Sequence, residues 1–198
     1  MPGMYHPGEY DLAGFCVGAV EKHRIIDGQS IVPGDLIIGI GSSGLHSNGY
    51  SLVRAVLSKS GATLSDEFAG STLGQRLLVP TRIYVKAILE VIRSIAVRGI
   101  AHITGGGIAG NLVRILPNGC QATLDQSNWP RPDILDWLQS AGNIDDEELL
   151  RTFNCGLGMV VIVAQEDGAK CQDILTRCGE SNFLVGQIRS GPKDVIIN

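Results

Sequence analysis

An apolar, branched run, Leu36-Ile37-Ile38-Gly39-Ile40, leads into Gly41-Ser42-Ser43-Gly44-Leu45-His46-Ser47-Asn48-Gly49 and then into a helical pattern from Tyr50 to Leu57. Strand, glycine-rich turn and helix start in that order constrain both fold and chemistry. Glycines permit the tight turn, and the free N–H groups of such a loop converge on one spot that favours an anion. Ser43, Gly44, His46, Ser47, Asn48 and Gly49 are therefore candidate phosphate-binding residues. The plainer alternative is that Ser47 or Asn48 merely caps the helix. Two nucleotide motifs fail on the same residues. Gly39 to Gly44 fits G-x-G-x-x-G, but Asp66 and Glu67 end no second strand, as a dinucleotide site requires. Gly44 and Gly49 have phosphate-loop spacing, but Tyr50-Ser51 stands where Lys-Ser/Thr is needed.

A second stretch, His102-Ile103-Thr104-Gly105-Gly106-Gly107, repeats the logic: a short strand over 100–103, a glycine turn, then a helix carrying Ile108, Leu112, Ile115 and Leu116. Thr104, Gly105, Gly106 and Gly107 form a second candidate anion loop, with Thr104 as cap. Three consecutive glycines are entropically costly, which favours a functional reason for them. His46 and His102, at the ends of two strands, are the candidates for charge stabilisation or proton transfer. Asn154, before the apolar run Leu157–Val163, either binds a substrate amide or makes an Asx turn. Cys155 lacks a paired base and reads as buried filler, and Asp145 to Glu148 suit the N-terminus of a helix.

The rest of the pattern is α/β. Helices are expected over 49–59, from Pro80 with Val85, Ile88, Leu89 and Ile92 on one stripe, and over 132–141, 145–152 and 168–178. Strands are expected over 120–124, 157–163 (apolar throughout, hence central), 183–188 and 195–197. Residues 60–74 read as a loop, and Cys171 and Cys178 as core residues of one helical face. Asp11–Val20 reads as a buried strand without a local partner. Gly28 with Pro33-Gly34 marks a boundary, dividing the chain into 1–28 and 29–198. The chain of 198 residues has a net charge of −4 and no basic block, so neither nucleic acid nor an anionic membrane is an expected partner. Five cysteines without C-x-x-C spacing exclude a disulfide framework and a zinc site, and no metal ligands stand out. No leader or twenty-residue apolar span is visible, and a cytoplasmic protein is expected.

Several stretches together carry a resemblance. Met1 to Tyr5, Tyr10 to Phe15, Ser42 to Arg54, Pro80 to Val85, His102 to Gly107 and Phe153 to Met159 resemble, in order and from end to end, the phosphoribosylformylglycinamidine cyclo-ligases, the aminoimidazole ribonucleotide synthetases of purine synthesis. The resemblance implies the C-terminal part of such an enzyme. A three-layer α/β/α domain, partly ferredoxin-like, would occupy 29–198, and 1–28 would be the last strand and linker of an N-terminal ATP-binding domain. It also implies ATP and Mg²⁺ as cofactors, held mainly by that other domain, and a ribonucleotide bearing a sugar phosphate as substrate. This part alone would be inactive, and Asp11–Val20 would pair between chains to give a homodimer or larger assembly. The alternative is a standalone phosphate- or nucleotide-binding regulatory module.

Overall fold

The computed structural model describes Gly8, Tyr10 and residues 12–198. In chain order the elements are β1 (Leu36–Gly41), α1 (Tyr50–Ser60), β2 (Glu67–Phe68), β3 (Ser71–Thr72), α2 (Leu73–Leu77), α3 (Val85–Ser94), β4 (Val97–His102), α4 (Gly107–Leu112), β5 (Cys120–Leu124), α5 (Asp133–Gly142), α6 (Asp146–Thr152), β6 (Leu157–Val163), α7 (Gly168–Arg177), β7 (Asn182–Ser190) and β8 (Asp194–Ile197). Six strands form one sheet in the order β4-β6-β1-β7-β5-β8, antiparallel throughout except for the β5–β8 pair.

Alternation along the strands makes the sheet two-faced. Ile37 on β1 and Leu157, Val160 and Ile162 on β6 enter one core with Val53 and Val56 of α1, Ile108 and Leu112 of α4, and Ile134 and Leu138 of α5. Ile38, Ile40, Val161 and Val163 enter the other, against Ala87 and Val91 of α3 and Cys171, Ile174 and Leu175 of α7. The result is three layers, α/β/α. Within it, β1-α3-β4-β6-α7-β7 is a ferredoxin-like unit: two split βαβ crossovers, both helices on one face, strands in the order β4-β6-β1-β7. The apolar run of β6 is flanked on both sides, which is why it alternates so little.

Several expectations are corrected. Residues 12–20 form no strand; Phe15 is 94% exposed and Val17 88%. A strand needs a neighbouring strand to take its N–H and C=O groups, and among the described residues none pairs with 13–20; Asp11 lies outside the described residues. Pro80 does not open a helix. Residues 80–84 stay outside the helix, where Ser43 Oγ donates to the Pro80 carbonyl (2.7 Å), Ser47 and Thr81 hydroxyls pair (2.9 Å) and Tyr84 Oη donates to the Gly41 carbonyl (3.0 Å). α3 starts only at Val85. Residues 60–74 are not a plain loop: they hold the β2–β3 hairpin and enter α2 through a capping box on Thr72 and Gln75. Cys171 is buried, but Cys178 is exposed, because α7 ends just before it.

One glycine couples the two sequence halves. Gly49 ends the first glycine loop at φ 78°, and a Cβ there would overlap the ring of Phe153, which is fully buried. Gly49→Ala should lower stability by about 1–3 kcal/mol through overpacking and the left-handed backbone. Urea unfolding checks this, and Phe153→Leu in the same chain should recover part of the loss by freeing space for the methyl.

Candidate anion site

β1 and β4 both lie antiparallel to β6, so their C-terminal ends emerge side by side at the start of β6. The two glycine loops follow those ends. In the first, Ser42 N–H donates to the Gly156 carbonyl (2.8 Å), and Ser43 N–H donates to Nε2 of His46 (3.2 Å), which sits at φ 59°. Asn154 makes its Asx turn, accepting Gly156 N–H at 2.9 Å, and also donates from Nδ2 to the Gly44 carbonyl at 2.8 Å. It is 3% exposed and holds the loop from behind. The N–H groups of Gly44, Leu45, His46 and Ser47 take no hydrogen bond among the described residues, while residues 46–47 form a turn that closes at Asn48. Neither Ser47 nor Asn48 caps α1; its N-cap is Gly49, without a side-chain bond.

In the second loop, Thr104 does not cap α4 either. Its hydroxyl donates to Oδ1 of Asn111 (3.2 Å), and Asn111 Nδ2 donates to the carbonyls of Thr104, Gly105 and Gly107 (3.2, 3.3 and 2.8 Å). Gly105 and Gly106 are exposed and their N–H groups take no bond among the described residues, while Gly107 N–H closes a turn onto the Thr104 carbonyl (3.1 Å). Gly106 and Gly107 have φ of 96° and 64°, which only glycine adopts without strain. The loops are neighbours: a Cβ placed on Gly105 would lie 3.6 Å from Asn48 Oδ1.

His46 and His102 flank one ring. Tyr84 lies between them, with centroids 6.2 Å from His46 and 6.3 Å from His102. Gly158 makes the room, since a Cβ there would overlap the Tyr84 hydroxyl. Burial raises the Tyr84 pKa, so the phenol stays a donor. His46 is 4% exposed, and burial, then the charges of His102 and Arg82, lower its pKa to about 4. It is neutral at pH 7, with Nε2 occupied by Ser43 N–H and Nδ1 buried without a partner. His102 is exposed at the end of the edge strand β4. Cys155 is buried, and burial pushes its thiol up to about 11, unsuited to nucleophilic work.

On the far side of the first loop, a cavity of about 300 Å³ is lined by Ser42, Arg76, Arg131 and Ser181. Its arginines are already paired with Asp133 (2.6 Å) and with Asp136 and Asp146 (2.9 and 3.2 Å), so two guanidinium groups face three carboxylates. Among the described residues no three His, Cys, Asp or Glu side chains gather as a metal site would require. Sequence reasoning gave Tyr84 and Asn111 no role. Asn111 was detectable as a polar residue on the apolar stripe of Ile108 and Leu112, and it is only 6% exposed. Tyr84 had no comparable signal, because an aromatic there reads as core.

Residues 32–197 match the family model described as AIR synthase related protein, C-terminal domain. The phosphoribosylformylglycinamidine cyclo-ligase of Nitrosococcus oceani is 54% identical over 188 residues, covering 95% of this chain and 52% of that protein. The chain thus spans about half the length of the curated relatives it matches. Thiamine-monophosphate kinase from Stenotrophomonas maltophilia has a similar fold (TM-score 0.63, 15% identity, 90% of this chain and 54% of that one). So does T. maritima PurL complexed with AMPPCP (TM-score 0.51, 14% identity, 86% and 24%).

The shift at His46 has a thermodynamic consequence. Between its ordinary value of 6.5 and about 4, the unfolded chain holds a proton on this ring that the folded chain does not. Stability should therefore fall as pH drops through that window and level off below it, by about 3 kcal/mol in all. Urea unfolding of the wild type and His46→Gln at about pH 7 and about pH 4.5 measures this as a stability difference that shrinks on acidification. A difference independent of pH would show that the ring titrates alike in both states.

Proposed function

The chain belongs to the AIR synthase related family as its C-terminal domain, and from that membership we propose that it supplies the phosphate-holding half of a phosphoribosylformylglycinamidine cyclo-ligase. In this reading, ATP converts the formyl-derived amide oxygen of formylglycinamidine ribonucleotide to a phosphoryl ester. An internal nitrogen then displaces phosphate and closes the imidazole ring. Such chemistry depends on positioning and charge stabilisation more than on covalent help from the protein.

The observation that carries the reading is the pair of adjacent loops whose N–H groups, Gly44 to Ser47 and Gly105 with Gly106, take no hydrogen bond among the described residues. They fit the sugar phosphate of the ribonucleotide or a phosphoryl group in transfer. The neutral His46 shapes the first loop, and His102, exposed beside Tyr84, is the candidate for proton transfer or charge stabilisation. The donor set does not fit Mg²⁺: the loops offer N–H donors, and the described residues gather no acid cluster. ATP and Mg²⁺ are assigned mainly to the part of the relatives that lies outside the match. On this ground the chain alone is inactive, and residues 1–28 are the remnant and linker of that other part, in a cytoplasmic enzyme. No helix among the described residues is long and apolar enough to cross a membrane. The exposed apolar residues Phe15, Val17 and Val20 support pairing of 11–20 with another polypeptide, giving a homodimer or larger assembly.

A second reading has one observation in its favour: both loops lie wholly on this chain, so anion binding does not need the rest. A regulatory module would bind ATP or the ribonucleotide tightly by itself. The ring-closure assay with ATP and formylglycinamidine ribonucleotide should show no turnover by this chain, and clear turnover would overturn the inactive-half reading. Calorimetry on the same sample should show weak binding, and tight binding favours the regulatory module. Light scattering before and after deleting residues 1–28 should show a drop in mass; a monomer in both would remove the assembly proposal.

A further inference from the structure

Asn111 carries more of the second loop than any residue named so far. Its side-chain amide is almost fully buried beneath the loop and makes four contacts, three of them from Nδ2 to carbonyls of the loop itself. A trans peptide is planar, with its C=O and N–H pointing in opposite directions. Drawing the Thr104 carbonyl inward therefore turns the N–H of Gly105 outward. Drawing the Gly105 carbonyl inward does the same for the N–H of Gly106. These two N–H groups are exposed and take no partner among the described residues.

The glycines alone do not dictate this orientation. Glycine populates both signs of φ, so a run of three has several loop conformers of similar energy. Some of them would turn the N–H groups inward. A buried NH₂ group satisfied by loop carbonyls selects one, because leaving that donor without partners is costly. Thr104 orients the selector, its hydroxyl donating to Oδ1 and so fixing which end of the amide faces the loop.

We propose that Asn111 is a positioning residue that sets the direction of the Gly105 and Gly106 N–H groups and thereby creates the anion-facing side of the second loop. The functional half of this statement rests on the reading of that loop as an anion site; the geometric half does not. Asn111→Asp keeps size and shape, but a carboxylate cannot donate to carbonyls and is repelled by them. Asn111→Ala removes the contacts altogether.

The test is solution NMR on the whole chain, with inorganic pyrophosphate as probe. Residual dipolar couplings of the Gly105 and Gly106 N–H vectors should change in both variants, with the couplings of β6 preserved as evidence of folding. Unchanged couplings in a folded variant would overturn the geometric half. In the wild type, pyrophosphate should shift the Gly105 and Gly106 amide signals, and the variants should bind about tenfold more weakly. If the couplings change but affinity is equal, Asn111 is structural only and the positioning role fails. If pyrophosphate shifts nothing in the wild type, the anion reading of the loop fails, whatever the couplings show. If neither variant folds, Thr104→Val supplies the same measurements, since it frees the amide to rotate while leaving its donors in place. Unchanged couplings there overturn the proposal.

Discussion

The pairing of β6 with β1 on one side and β4 on the other is the constraint from which the site follows. Two strands that are each antiparallel to a third run parallel to one another, so whatever follows β1 and β4 must emerge at the same end of the sheet. Ile40 lies opposite Met159 and so does His102, which brings the two glycine loops within reach of a single ligand. About sixty residues of chain separate them. A ferredoxin-like crossover makes them neighbours without any direct bond between β1 and β4.

That arrangement explains why β6 is apolar and has a glycine, Gly158, as its second residue. Gly158 lies under both Tyr84 and His46, and any larger residue would push the phenol off the Gly41 carbonyl. Losing that bond would release residues 80–84, which the first loop helps to hold in place. The loop, the 80–84 segment and β6 therefore form one mechanical unit. His46 fits the same logic. As a neutral ring it gives Ser43 N–H an acceptor and removes that one donor from the outward set. Burial of a charged ring there would be costly, which is what its lowered pKa expresses.

Much of this was legible in the sequence. The periods of β1, β6, α5 and α7, the two glycine loops and the family resemblance all lie in local pattern, and local pattern is what a sequence displays. The exceptions have a shared cause. Pro80 looks like a helix start, yet three long-range bonds to the first glycine loop hold 80–84 outside the helix, which begins at Val85. Residues 12–20 have the composition of a strand, but strands are made by partners, and composition does not supply one. Cys178 lies on the apolar stripe of α7, but the helix stops one residue too soon to bury it. Tyr84 acquires its place only once Gly158 is packed beneath it. Each of these is decided by contacts far apart in the chain.

The two loops also share a device that their sequences conceal. Each is fastened by a buried, uncharged asparagine that takes carbonyls: Asn154 the Gly44 carbonyl, Asn111 those of Thr104, Gly105 and Gly107. Neither asparagine lies in the loop it holds. A lysine or arginine could take the same carbonyls, but its buried charge would need a counter-ion, and that ion would repel the anion outside. The amide has no such defect. It satisfies its own donors, leaves the loop without net charge, and lets the peptide dipoles alone face the ligand. On the proposed reading, a site built this way would face phosphate with fixed N–H groups that need no reorganisation when charge develops, which is the electrostatic requirement of phosphoryl transfer. On the same reading the loops would hold the anion, with His102 beside them as the candidate for proton transfer, while the described residues gather no three-residue metal site. Two glycine loops pinned by asparagine amides are thus suited to being one wall of a larger active site.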